Sequence, residues 1–502
     1  MLNIFNIGEI FTDKKREIKT FFGNKKQIYL LLIITAIYMI TYYTIFRANF
    51  NYIDDLSRTM FGYRGWKNFS RYFSEFFSII LNTNKYLTDI SPLTQIIACI
   101  ILAICGIVLL NLFDKNKKLN FFSIIAVLFI GLNPFFLECI SYKYDSPYMA
   151  FSILVSIIPF IFYKKGLNIK NQIPFIITSI VGTLLMCMSY QASSGIFPLI
   201  ALFLSFKYWN DSNDKEWLKI ILISSVSYII GILVFKCFIM TPVSTYVSTE
   251  IYPFNQMISG IMFNLTQYYS LIFNNFNLIW LIFILILFVF FPISVVTSTK
   301  RNKSVAFIIS IVLIIISSII CFGLYIVMQK ITFVPRIMYG FCFLITLIVL
   351  YSLNCKFNGI SKVFSTCLIY CFIVLAFTYG NALNYQKEYT LFRINNIVDG
   401  LNEIDYMKDS SVKNFKIVSN PIYSPVVENE NKLYSRMIKI LVPTFLGSTG
   451  WVWDYYYLLN YYNIKNLKVN DSIDDTNLPI LKDTFYYTIK GNENNIVVYL
   501  RP

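Results

Sequence analysis

The chain has 502 residues, of which 56% are hydrophobic and only 14% charged, against roughly 25% charged in a soluble globular protein. Its net charge of +16 lies in short loops between apolar blocks, so the cations orient the chain against anionic lipid and no nucleic-acid partner is expected. There is no histidine, which excludes a Ser-His-Asp triad, a His-ligated zinc site and His-dependent acyl transfer, and leaves acid–base work to Asp, Glu, Lys or Tyr.

The apolar blocks run to about 20 residues, the length that crosses ~30 Å of hydrocarbon. In chain order they predict spans near 27–47, 92–113, 120–140, 147–163, 173–189, 195–206, 217–239, 278–297, 305–328, 337–353 and 361–380. The fold class expected is therefore an α-helical polytopic membrane protein of about eleven transmembrane helices, with a small C-terminal extracytoplasmic α/β domain. The first block follows KK and KKREIK, is too long for a signal-peptide core and lacks a small-residue cleavage site, so it reads as a retained helix. The sixth is short and reads as a possible half of a hairpin broken around QASSG, 191–195.

The distribution of Lys and Arg sets an orientation. With residues 1–26 in the cytoplasm, the inside segments (1–26, 114–118, 164–170, 207–219, 298–303 and 354–362) hold 20 Lys and Arg, and the outside loops up to 336 hold ten. The outer loop at 56–81 intersperses Phe61, Trp66, Phe69, Tyr72, Phe73, Phe76 and Phe77 with Arg58, Arg64, Lys67, Arg71 and Glu75. This pattern predicts an aromatic, basic helix lying in the headgroup plane. MISGIMFNLTQYYSLIFNN, 257–275, is uncharged and reads as a second interfacial helix, a re-entrant segment or a packing helix.

An odd number of spans leaves residues 381–502 outside. There FKIVSN (415–420) reads as a strand, NKLYSRMIKIL (431–441) and DYYYLLNYY (454–462) as helices, and FYYTIKGNENNIVVYLR (485–501) as two strands joined at GNEN. Nearly all of the ten cysteines fall in apolar spans and none after 371, so no disulfide framework is expected in the tail.

Ionisable residues at membrane depth are costly and are functional candidates by default. Asp54 and Asp55 follow the first span, Asp89 precedes the second, Glu138 ends the third, Lys143 and Asp145 precede the fourth, and Arg336 precedes the tenth. All lie at outer helix ends, and Gln191 is a polar group at the same level. A carboxylate can take the proton of an acceptor hydroxyl and an arginine can clamp a phosphate. Together they suit transfer of a group from a phosphate carrier to a hydroxyl, with the carrier reaching the site from the bilayer. Structural roles compete at each position. Asp54 or Asp55 can cap the following helix, Asp89 the second span beside Pro92, and Asp145 the fourth span. Glu138 can pair with Lys143, and Arg336 can anchor at the interface. Two carboxylates with Asp89 or Glu138 could also hold Mg²⁺ or Mn²⁺, the set Asp54, Asp55 and Asp89 being the first choice.

Three motifs in order, IDDLSRTMFGYRGW with SRYFSEFF, then TDISPLTQII, then NPFFLECISYKYDSPYMA, resemble the bacterial glucosyltransferases of the GtrII type. The shared pattern is DD-x-x-R followed by G-Y-x-x-W, then D-x-SPL-x-Q, then F-x-E-x-x-S-Y-x-x-D-S. The likeness runs through about residues 1–200 and is weaker around PRIMYG, 335–340. It implies a GT-C-like membrane enzyme that takes a hexose, typically glucose, from undecaprenyl phosphate and adds it to O-antigen or a related cell-wall polymer. It also implies Asp54 or Asp55 as the catalytic base, while Arg58, Asp89, Glu138, Lys143, Asp145, Gln191 and Arg336 are the candidate substrate-binding residues from their charge or polarity at outer helix ends. A separate flippase and a donor-synthesising transferase are implied as partners. The competing classes are a transporter or flippase of lipid-linked saccharides, for which inverted repeats and midplane charge would be expected, and a polysaccharide polymerase.

Overall fold

The computed structural model describes residues 25–113, 120–166, 169–211, 215–241, 249–446 and 456–501. The expected cytoplasmic segment 1–26 falls almost wholly outside these residues, as do DKNKK at 114–118 and part of DYYYLLNYY. The chain forms two compact units, one of residues 1–43 with 64–377 and one of residues 44–63 with 378–502.

The first unit is helical. Among the described residues seven helices are long and apolar enough to cross a membrane: Lys25–Ala48, Leu93–Phe113, Gln191–Asp211, Glu216–Ile239, Leu278–Ser298, Lys303–Ile320 and Gly359–Asn402. Three shorter apolar helices, Ser146–Phe162, Ile173–Ser189 and Tyr339–Leu353, accompany them. The long helices are sorted inside out relative to a soluble protein. Leu278 and Leu285, or Ile308 and Ile315, are exposed, while Ser294, Ser310 and Ser317 on the same helices are buried. Small hydroxyl residues let helix backbones approach where lipid offers no hydrophobic drive for association. Ser294 Oγ donates to Phe357 O at 2.9 Å and Ser310 Oγ to Phe307 O at 2.7 Å, so burial leaves neither hydroxyl unsatisfied. Packing is tightest at Cys321, whose carbonyl oxygen would lie 1.9 Å from a Cβ at Gly340 and 2.5 Å from one at Gly195.

Three expectations for the helical part of the chain change. The block at 120–140 is not one helix but two, Phe121–Leu128 and Phe136–Ser141. Pro134 cannot donate, and it disfavours helical geometry at Asn133. The Asn133 side chain fills the gap: Nδ2 reaches the carbonyls of Phe129 (2.9 Å) and Ile130 (3.2 Å), and Oδ1 accepts from Phe135 N (3.1 Å) and Phe136 N (2.9 Å). The sixth span is full length, because a 3₁₀ turn at Gln191–Gly195 runs directly into the helix Ile196–Asp211. The aromatic stretch 56–81 is not a continuous helix. It divides into Asp54–Phe61, a 3₁₀ turn Trp66–Phe69 and Tyr72–Asn82. Gly62 (φ 65°) and Gly65 (φ 77°) take left-handed conformations that end one piece and open the next. The helix at 257–275 forms as Met257–Asn275, with Asn264 Nδ2 donating to Met328 O at 2.9 Å.

The second unit contains a five-stranded mixed sheet of order β2-β1-β5-β4-β3, with β1 Lys413–Val418, β2 Leu467–Val469, β3 Ile480–Asp483, β4 Tyr487–Gly491 and β5 Asn495–Leu500. β1 runs parallel to β2 and β5, and β3, β4 and β5 form an antiparallel meander. The hairpin turns at the expected GNEN segment, where Asn492 Oδ1 accepts from Asn494 N and Asn495 N, both at 3.0 Å. The expected helix at 431–441 is two short ones, Pro425–Leu433 and Met437–Leu441. The first is capped by Ser424 Oγ, which accepts from Val427 N.

Residues 44–63 are tied to this unit by specific bonds. Tyr52 OH donates to Leu441 O at 2.7 Å, Lys387 Nζ to Ala48 O at 3.0 Å and Arg47 Nη2 to Asn381 Oδ1 at 2.5 Å. The Phe50 ring stacks on Phe445 with centroids 5.5 Å apart.

Burial pushes the Glu430 carboxyl up to about 7, and its Oε2 is buried with no hydrogen-bond partner. The same carboxyl in an unfolded chain ionises near pH ~4.3. Between those values the native state holds the proton longer, so stability should fall as pH rises through this window and be highest below it. Glu430→Gln should flatten the slope of unfolding free energy against pH from about 4.5 to 7. An unchanged slope in chemical denaturation of the full-length protein would contradict this assignment. Because the side chain is only partly buried, the effect should be modest.

Candidate functional site

The candidate residues divide between the two units. Asp54, Asp55 and Arg58 lie in the second, on the helix Asp54–Phe61. The helix follows Ile53 at φ 45° and ψ −102°. A β-branched residue is rarely found with positive φ, and such strain persists where surrounding structure enforces it, often at functional positions. Asp55 is fully buried, and its Oδ2 accepts from Tyr52 N at 3.3 Å, reaching back across the turn. Asp54 is half-buried. Its own carbonyl accepts from Ser57 Oγ at 3.0 Å, and that hydroxyl also meets Tyr63 OH at 2.9 Å. Arg58 is buried, and Gly62 N donates to its carbonyl at 2.8 Å to close the helix. Of the two aspartates, Asp55 is thus the one whose carboxylate holds the helix start.

The remaining candidates lie in the first unit and form two ion pairs and two anchored groups. Glu138 sits on Phe136–Ser141, just beyond the Asn133 break, and is 2% exposed. Arg336 grips it at two points: Nη1 pairs with Oε1, and the backbone N donates to Oε2 at 2.7 Å. The expected alternative partner of Glu138, Lys143, instead pairs with Asp89 Oδ2 at 2.9 Å. Asp89 Oδ1 accepts from Ser91 N at 3.0 Å, a turn before the second span rather than a cap within it. Asp145 is the residue before the helix Ser146–Ile157 but makes no capping bond; its Oδ1 accepts from Trp66 Nε1. Trp66 N in turn donates to Glu75 Oε2 at 3.1 Å, and Arg64 Nε lies 3.1 Å from Glu75 Oε1. Trp66, Leu87, Tyr144 and Tyr148 pack around this group. Gln191 Oε1 accepts from Arg71 Nε at 3.1 Å, and its Nε2 donates to Phe69 O at 3.2 Å.

A cavity of about 250 Å³ opens in this unit. Gln191 and Arg336 line it; Asp89, Glu138, Lys143 and Asp145 do not. Three other cations that were not candidates also line it, Arg71, Lys236 and Lys330. The only signal for them in the sequence is their position, near the ends of predicted spans or, for Arg71, in the loop at 56–81, shared with many other residues. The rest of the wall is largely apolar, including Ile232, Phe235, Met240 and Ile337.

Among the described residues no group of three or more His, Cys, Asp or Glu side chains gathers to hold an ion. Asp89 is engaged by Lys143 and Asp55 accepts from a backbone N–H. All ten cysteines are free thiols.

These features define a mostly helical membrane protein with a small C-terminal sheet domain and buried carboxylate–cation pairs beside a largely apolar cavity. The chain belongs to the glucosyl transferase GtrII family, whose family model matches residues 43–347. A 55.3 kDa uncharacterized protein in the gtrB 5′ region of Salmonella phage P22 is 27% identical over 444 residues, covering 80% of this chain and 84% of the phage protein. No solved structure matches the chain. The family makes it a membrane glycosyltransferase, with a sugar donor, an acceptor and a lipid bilayer as its partners.

Proposed function

We propose that this protein moves a glucosyl unit from a polyprenyl-phosphate carrier to a cell-surface polysaccharide, O-antigen or a related cell-wall polymer, on the outer face of the bacterial cytoplasmic membrane. The observation that carries the reading is the family match over 43–347, which begins just before the DD-x-x-R segment and takes in the other two motifs. The excess of Lys and Arg in alternate loops supports a cytoplasmic N-terminus and an extracytoplasmic C-terminal unit. A GT-C-like architecture belongs to the same reading. So do the partners it requires, a flippase and an enzyme that makes the lipid-linked sugar.

The chemistry is a displacement at the anomeric carbon. The acceptor oxygen forms a bond to that carbon, the carbon–oxygen bond to phosphate breaks, and its electron pair leaves on the phosphate. Asp54 takes the acceptor proton, because it is the half-exposed member of the pair. Asp55 holds the turn through Tyr52 N, and Arg58 completes the motif from the same helix. Glu138 and Arg336 hold each other in place through the ion pair and the backbone N–H, and Arg336 lies at the cavity wall.

The test is transfer of labelled glucose from undecaprenyl-phosphate glucose by the purified protein to a polysaccharide acceptor. Transfer that depends on both substrates is expected. Its absence with every surface polysaccharide of the host, from a folded protein, would remove the reading.

A further inference from the structure

The cavity in the first unit has an unusual charge balance. Four basic side chains line it, Arg71, Lys236, Lys330 and Arg336, and among its lining residues there is no Asp or Glu. Glu138 neutralises Arg336 from outside the lining. The other three cations have no described carboxylate partner. Arg71 is held by Gln191 Oε1 and by the rings of Tyr190 and Phe69, at 4.7 and 5.2 Å from their centroids. Those contacts fix its plane without cancelling its charge. Lys236 comes from the π-helical end of the helix Glu216–Ile239, and Lys330 from the segment after the Ile251–Met328 bridge.

Four cations line one largely apolar space with no Asp or Glu among its described lining residues, Lys236 and Lys330 exposed and Arg71 part-buried, so the space carries a positive field that attracts an anion. The anion must also suit the walls. Ile232, Phe235, Met240, Val327 and Ile337 offer no hydrogen bonds, while Ser70, Tyr190, Gln191 and Thr332 supply polar groups on the same lining, so a small hydrated anion would leave the apolar part of the wall unused. An anion carrying a hydrocarbon chain satisfies both halves of the surface. Phe238, two residues from Lys236, is 83% exposed, and Phe254, three residues from Ile251, is 96% exposed.

We infer that this cavity is the phosphate-binding subsite for the polyprenyl carrier, with Arg71, Lys236 and Lys330 as phosphate-binding residues and Arg336 completing the set. The inference rests on the proposed function for the identity of the lipid, and adds the residues that recognise it. It also assigns them a part in the reaction. The donor is a phosphodiester with one negative charge; when the bond to the sugar breaks, the departing monoester carries up to two. Each cation therefore holds the product phosphate more strongly than the substrate, so the same groups that bind the carrier assist departure.

The experiment compares binding of undecaprenyl phosphate, undecaprenol and inorganic phosphate to the full-length protein in nanodiscs. Wild type should prefer the lipid phosphate over the alcohol by about tenfold or more, and Lys236→Gln with Lys330→Gln should reduce that preference to about threefold or less. The corresponding Lys→Arg pair should keep it, which separates lost charge from lost folding. A preference undiminished in the Gln pair overturns the inference, as does inorganic phosphate binding as tightly as the lipid. Outcomes for the two readings are distinct. A preference lost in the Gln pair while wild type transfers no glucose leaves this inference standing without the proposed reaction. Intact transfer and intact preference in the Gln pair leave the reaction and remove the subsite.

Discussion

Asp54→Asn should reduce glucosyl transfer by about 10²–10⁴-fold, the usual contribution of a positioned general base, without moving the unfolding midpoint. Asn is nearly isosteric with Asp and can keep the local hydrogen bonds, but it cannot accept the acceptor's proton. Asp55→Asn should behave differently. Asp55 is fully buried and its Oδ2 accepts from Tyr52 N, a bond an amide oxygen can still receive, though more weakly than a carboxylate. Its variant should lose stability by about 1 kcal/mol and lose transfer only through displacement of its neighbour. Rates and melting curves of both variants, measured side by side, check the assignment. If Asp54→Asn retains at least a tenth of wild-type transfer and Asp55→Asn does not, the roles are reversed.

Arg336→Ala should destabilise the first unit by about 3–5 kcal/mol, because it strands Glu138 as an unpaired buried charge. Glu138 is 2% exposed, and Arg336 supplies it with both a guanidinium contact and a backbone N–H. Removing the side chain leaves only the backbone bond. The penalty belongs to the abandoned carboxylate, so the double variant Glu138→Gln/Arg336→Met should recover most of the loss. Thermal unfolding of the two variants in the same detergent measures the difference. A single variant within about 1 kcal/mol of wild type would show that water reaches Glu138 and that the pair is not structurally essential.

The parts of this molecule legible in its sequence are those written locally. Hydropathy over some 20 residues located the long helices, and alternation around GNEN located the β4–β5 hairpin. Hydropathy also misled where it is blind to backbone chemistry. The block 120–140 is apolar almost throughout, yet one Asn-Pro pair divides it. β2 and β3 have three and four residues, too few to show a period. The two long-range features were not legible at all. Glu138 was matched to the nearby Lys143, but it pairs with Arg336, 198 positions away. Nor does anything in NYIDDLSRT announce that Tyr52 will bond to the carbonyl of Leu441. The candidate list found Gln191 and Arg336 in the cavity wall but missed Arg71, Lys236 and Lys330, because convergence of distant cations is a property of the packing, not of any segment.

The interruption at Asn133 bears on how a site of this kind tolerates drying. A broken helix at membrane depth ordinarily depends on water or neighbouring chains to satisfy its freed backbone groups. Here one amide side chain takes over that duty, meeting carbonyls on one side of the gap and N–H groups on the other. Glu138 follows a few residues later, so its footing carries its own solvation. If the proposed lipid carrier enters this cavity, it would sweep water out as it arrives, and the scaffold beneath the Glu138–Arg336 pair would keep these hydrogen bonds whether the pocket is wet or dry.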